Sequence, residues 1–312
     1  MVETAGFDET AAHAAGEFDL LQAQARLAFE QGRTEEACEL LLRAIEWAEE
    51  RSDDRRADLA FCNHCAATIG SDDREPLPRT SIARLREILM RNTDDSNCRL
   101  AAYILGRAYE LQKDPRKGLF YARIALDRSQ LIGRADWLAS SHNQIGNMLI
   151  AQSFFEQAAE EYEEALRLHP GEAAARRAVI EINLGYSELV RGLYHHGLER
   201  LYRCLRLLKK VGARREQMLA HVDLCYAHLE LQRYREAMRH GRQGLALAEE
   251  FGDADATKNA LYLLGQAAQM QGERLQAHGY FQRLQNDFFP GSPSIPELLM
   301  AVDVRKMINL RA

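Results

Sequence analysis

Proline is scarce in this chain, 7 among 312 residues, and no apolar run approaches the roughly 20 residues needed to span a bilayer. β-Branched residues are also few. Ala, Leu, Glu, Arg and Gln dominate, a composition that predicts an almost wholly helical fold. The opening stretch "MVETAGFDETAAHAAGEFD" lacks the basic and apolar regions of a secretion signal. Six cysteines in so long a chain do not make a disulfide framework, so the expected location is a reducing cytoplasm. A net charge of −6 and a pI near 6.0 give no global drive toward nucleic acid or an anionic membrane. Catalytic signatures are missing too: there is no nucleophile elbow, no HExxH and no GxxxxGK[ST]. The chain is therefore expected to be no enzyme and to need no cofactor.

What is present is a glycine where a helix should resist one. In "NQIGNMLIAQSFFEQAAEEYEEALRLHP", residues 143–170, Gly146 interrupts a helical pattern at a cost of about 1 kcal/mol relative to alanine. The same surroundings recur around Gly106, Gly185, Cys225 and Gly265, at intervals of 40, 39, 40 and 40 residues. A second small residue follows each by 12: Gly118, Ala158, Gly197, Ala237 and Ala277. Two landmarks keeping one period over five copies define a repeat. Ala25 and Ala37 extend it backward, and Cys65 marks a degenerate copy interrupted by "SDDREPLPRTS". Each repeat reads as two helices that cross closely at the small residues and cannot bury their apolar faces alone.

These features resemble the tetratricopeptide repeat (TPR) family: Ile145 and Gly146, Phe155 after the turn, then Ala158, Tyr162, Ala165 and Pro170. The family period is about 34 residues. A period near 40 is similar to the longer-period subgroup found in bacterial regulators and in adaptors such as kinesin light chains. The expected fold is all-α, a right-handed α-solenoid of about seven helical hairpins. The repeats are expected near residues 17–54, 57–93, 98–131, 138–170, 177–211, 217–251 and 257–285. A tail, 1–16, should precede them. A capping segment, 286–312, should follow, with a terminal helix over roughly 296–309 covering the last repeat. The sequence leaves no linker and no room for an appended catalytic or DNA-binding domain, so the array itself is expected to carry the function.

The resemblance implies a function as well. First helices line a concave surface in this family, at the positions one after, two before and three before the small residue. Those positions hold Tyr103, Arg107, Asn143 and Asn147 in the earlier repeats. In the later ones they hold Asn183, Tyr186, Asp223, Tyr226, Tyr262 and Gln266. Amides pair with a ligand backbone whatever its sequence, tyrosines give rigid contact area, and Arg107 could grip a carboxylate. The expected function is a protein-interaction scaffold or adaptor holding a peptide segment of a partner. The alternative is a receptor for a small signalling peptide, although only about 16 residues precede the first repeat. Partners are expected to be protein or peptide, not nucleic acid or membrane, with a homodimer left open. The opposing reading is that these residues only bridge neighbouring repeats.

Three other clusters compete. Arg203, Arg206 and Lys210 form a basic stripe on a second helix, expected on the convex side. Cys62, His64 and Cys65 are metal-like in spacing, but a zinc site wants four ligands and no second pair exists. Their simpler role is packing. His195 and His196 sit at an exposed turn, while His221 and His228 are seven residues apart, too far to chelate one ion directly.

Overall fold

The structure is a computed structural model that describes residues 16–70, 76–169, 174–303 and 309–311. The described residues form fifteen helices and no strand. Contacts divide the chain into two units, Met1–Gln152 with Arg167–Pro170, and Ser153–Leu166 with Gly171–Ala312.

The first unit holds α1 (Glu17–Glu30), α2 (Thr34–Glu50), α3 (Asp54–Gly70), α4 (Arg79–Arg91), α5 (Asp95–Leu111), α6 (Pro115–Ile132) and α7 (Ala135–Ala151). The boundary runs through the end of α8 (Phe155–Leu168). The second unit continues with α9 (Ala174–Val190), α10 (Tyr194–Lys210), α11 (Arg214–Glu230), α12 (Tyr234–Glu250), α13 (Ala254–Met270), α14 (Arg274–Phe288) and α15 (Ile295–Ala301). Within each unit most consecutive helices pack against each other, and connections of two or three residues join most of them. The terminal helix α15 stops at Ala301, shorter than the span 296–309 expected from the sequence. Residues 1–15, 71–75, 170–173 (with Pro170) and 304–308, and Ala312, lie outside the described residues.

Local chemistry accounts for the punctuation. Most turns are three residues long and place one residue in the left-handed region: Gly192, Gly212 and Gly272 do so with φ of 81°, 71° and 83°. Side-chain caps open several helices. Asp94 accepts from the Asn97 backbone N–H, Asp114 from Lys117 and Asp253 from Ala256, each satisfying a donor with no intrahelical partner. Asp253 is buried, so the Asp253→Ala variant should lose about 1 kcal/mol in urea unfolding, while Asp253→Asn retains most of the cap.

The small-residue landmarks meet as their spacing predicts. A Cβ on Gly197 would lie 3.0 Å from the Gly185 carbonyl oxygen, and one on Gly118 would lie 3.4 Å from that of Gly106. The second landmark of a hairpin therefore rests on the backbone of the first. Gly106 is also approached from the next repeat, where the Gln144 amide would be 2.7 Å from an added Cβ. Where the landmarks are alanines, as at Ala25, Ala37, Ala237 and Ala277, they are fully buried. The cores of both units run along these crossings, with Leu41, Leu85, Ile104 and Leu105 in the first and Ile182, Leu189, Leu201 and Leu224 in the second.

Candidate peptide-binding face

In the first unit, α5 and α7 carry the expected residues. Arg107 and Asn147 converge on one carboxylate: Arg107 pairs with Glu110, and the Asn147 amide donates to Glu110 at 3.4 Å. Asn143 is half-buried one turn earlier on α7. Tyr103 is different from its expected role, being buried under the Arg99 guanidinium at 4.7 Å from its ring centre, with its carbonyl accepting from Gln144 at 2.8 Å. Its ring packs between repeats.

In the second unit the first helices α9, α11 and α13 form one face, and that face holds polypeptide. Tyr186 on α9 donates its hydroxyl to Asn309 Oδ1 at 3.1 Å and accepts from the Leu310 backbone N–H at 3.1 Å. Asn259 on α13 donates to the Leu310 carbonyl at 2.7 Å. Asp223 on α11 pairs with the Arg311 guanidinium at 2.6 Å, and that guanidinium lies 5.0 Å from the Tyr186 ring centre. Further along α13, Gln269 donates to the Met300 carbonyl at 2.9 Å. Tyr226 packs beside Tyr186, ring centres 6.3 Å apart.

Electrostatics make this a demanding seat. The Asp223 carboxylate is 2% exposed, and burial pushes its pKa up to about 6 while Arg311 pulls it down. Among the described residues, Arg311 is the group that ion-pairs with it. Burial also pushes the Tyr186 hydroxyl well up, so it stays protonated and able to donate. Gln266 stands one turn from Tyr262 on α13, between Asn259 and Gln269. It is 1% exposed, and neither amide atom finds a hydrogen-bond partner. Leaving such groups unsatisfied costs on the order of 1–3 kcal/mol each. Tyr262 is buried beside it, and Asn183 and Tyr226 are half-buried.

The three groove positions include Tyr186 and Asp223 but not Asn259 or residues 309–311. Asn259 lies one turn before Tyr262 on the same helical face, a position the three-place groove rule does not sample. The other clusters resolve differently. Arg203 is tied to Glu181 at 2.7 Å, alongside Arg200, which bridges Glu181 and Glu188. Burial acts to raise the Glu181 carboxyl, but the hydrogen bonds from Arg200 and Arg203 outweigh it and hold it low. Arg206 and Lys210 are exposed. Cys62 and Cys65 are wholly buried, and burial pushes both thiols up, Cys65 to about 12, the behaviour of packing residues. No group of three or more His, Cys, Asp or Glu suited to a metal occurs among the described residues.

His195 and His196 are exposed. His221 and His228 are instead buried and joined through His240 of α12 and Tyr202 of α10. His221 Nδ1 lies 2.9 Å from His240 Nδ1, and the Tyr202 hydroxyl lies 3.2 Å from His240 Nε2 and 2.7 Å from His228 Nε2.

No family model and no curated protein matches the chain. Solved structures do. The apo form of RapI superposes with a TM-score of 0.63 at 14% identity, over 95% of this chain and 85% of that one. A Rap protein complexed with competence and sporulation factor gives 0.61 at 13%, over 91% and 86%. Aspartyl phosphate phosphatase F from Bacillus subtilis gives 0.55 at 12%, over 94% and 86%. At such identities the likeness is one of fold. The chain has a TPR-like helical repeat fold. Its TPR-like first helices supply the face described above. No helix of the described residues is long and apolar enough to cross a membrane.

Proposed function

We propose that the chain is a non-catalytic interaction module whose first-helix face binds a peptide segment of a partner protein. One observation carries this reading: the face of α9, α11 and α13 already grips polypeptide through its backbone, with Tyr186 on an N–H and with Asn259 and Gln269 on carbonyls. Backbone capture by side-chain amides and hydroxyls is the chemistry of segment recognition, and the unsatisfied Gln266 amide adds a further donor and acceptor. In the first unit, Asn143, Asn147 and Arg107 offer the same groups. The partner class is protein or peptide rather than nucleic acid or membrane, and the cytoplasm is the compartment this reading takes.

A second reading has its own support. One structure with this fold was solved with competence and sporulation factor bound, so a receptor for a small signalling peptide suits the same face. Affinity for short free peptides, rather than for a folded partner alone, separates the two.

The test is capture from the native cell's lysate by wild-type chain and by an Asn147→Ala, Asn183→Ala, Tyr226→Ala variant with unchanged helicity and melting temperature. A partner held by the wild type and lost by the variant is expected. Equal capture by both would confine these residues to packing and end the reading.

A further inference from the structure

We propose that residues 309–311 are a built-in competitor for the face of the second unit, a tethered segment that a ligand must displace. This rests on the reading of that face as a ligand-binding surface and adds its regulation.

The seat is built rather than incidental. Three separate first helices converge on three consecutive residues: Tyr186 from α9, Asp223 from α11 and Asn259 from α13. Ser153 joins them, its hydroxyl accepting from the Asn309 amide at 3.2 Å. Leu310 has both backbone groups engaged and its side chain buried. Asn309 Oδ1 also accepts from the Arg311 N–H at 2.9 Å, which folds the segment into a turn that presents the guanidinium to Asp223.

The contacts divide into two kinds. Those to Leu310 are backbone contacts that any segment could make. The contact to Arg311 is specific, because a carboxylate as buried as Asp223 is costly without a cation opposite it. A segment carrying both kinds of contact, held on the same chain, sits at an effective concentration in the millimolar range. An incoming ligand then binds with its apparent affinity reduced by the fraction of chains whose segment is seated.

The probe is a fluorescein-labelled synthetic peptide copying residues 303–312, followed by anisotropy. It is titrated against the full-length wild type, a full-length Leu310→Gly, Arg311→Glu variant that frees the segment, and the same variant carrying Asp223→Ala. The freed variant should bind the probe at least ten times more tightly than the wild type, and Asp223→Ala should remove most of that gain. If Asp223→Ala melts the chain, Asp223→Asn keeps the shape without the charge and reads the same contact. A freed variant that binds no better than wild type, or binding indifferent to Asp223, overturns the inference. The probe is the chain's own segment. Uptake of it without capture of any cellular partner would count against the partner reading alone, and capture without uptake would count against this inference alone.

Discussion

Gly265→Val should be among the most damaging single substitutions in the chain, lowering stability by about 3 kcal/mol. A Cβ at Gly265 would lie 2.2 Å from Phe281 Cε1, and Phe281 is itself wholly buried. The ring cannot swing out of the way, because α14 is packed along α13 at this point. Two controls isolate the cause. In a Phe281→Leu background the same glycine change should cost at least ~1 kcal/mol less, since the colliding atoms are gone. Gly279, on α14 itself, faces open space with nothing within 4 Å of an added Cβ and no left-handed φ. Gly279→Ala should therefore stabilise by about 0.5–1 kcal/mol through helix propensity and unfolded-state entropy. Two glycines on adjacent helices thus carry opposite signs, and urea unfolding of the three variants reads them. A Gly265→Val chain as stable as wild type would mean that the landmark glycines are not close-approach positions.

That contrast shows why so much of the fold was legible. The glycines at 106, 185 and 265 repeat because their surroundings repeat, and periodicity averages over five copies what one copy states weakly. The site is legible only where it shares that period. Tyr186 and Asp223 occupy repeat positions, so the periodic pattern singles them out. Asn259 lies outside the sampled positions, and residues 309–311 lie beyond the array, so no internal copy announced their contacts. Tyr103 shows the opposite failure. Like Tyr262 at the matching repeat position it is buried, its ring lying against the Arg99 guanidinium, and position in the repeat does not report burial. His221 and His228, too far apart on α11 to chelate one ion directly, gave no sign of their link, because His240 sits on the neighbouring helix and has no periodic signature.

That histidine chain should make the packing of α10, α11 and α12 sensitive to acid. His221, His228 and His240 are 3%, 3% and 4% exposed, and burial depresses all three: His221 to about 4, His240 to about 3, and His228 in the same direction. Lys209 and Arg239 push the same way at His221 and His240, with His221 and His228 adding to the effect at His240. At His228, Arg233 and Arg239 act with burial, while Glu236 opposes them. A depressed folded-state value means the unfolded chain binds protons first. Stability is therefore fully present above the unfolded value of about 6.5 and is lost as pH falls below it. Between pH 7 and pH 5, each histidine that stays neutral in the fold should cost up to about 2 kcal/mol, less where the three share a proton. The urea midpoint of the wild type should fall steeply over that interval. His240→Gln keeps a hydrogen-bonding side chain between Tyr202 and His221 but cannot titrate, so its midpoint should start lower at pH 7 and fall by clearly less. His221 and Asp223 are two residues apart, about 200° around α11, so the acid effect loosens α10, α11 and α12 against one another from the face opposite the segment's seat. A His240→Gln chain with an unchanged pH slope would place the acid sensitivity elsewhere in the molecule.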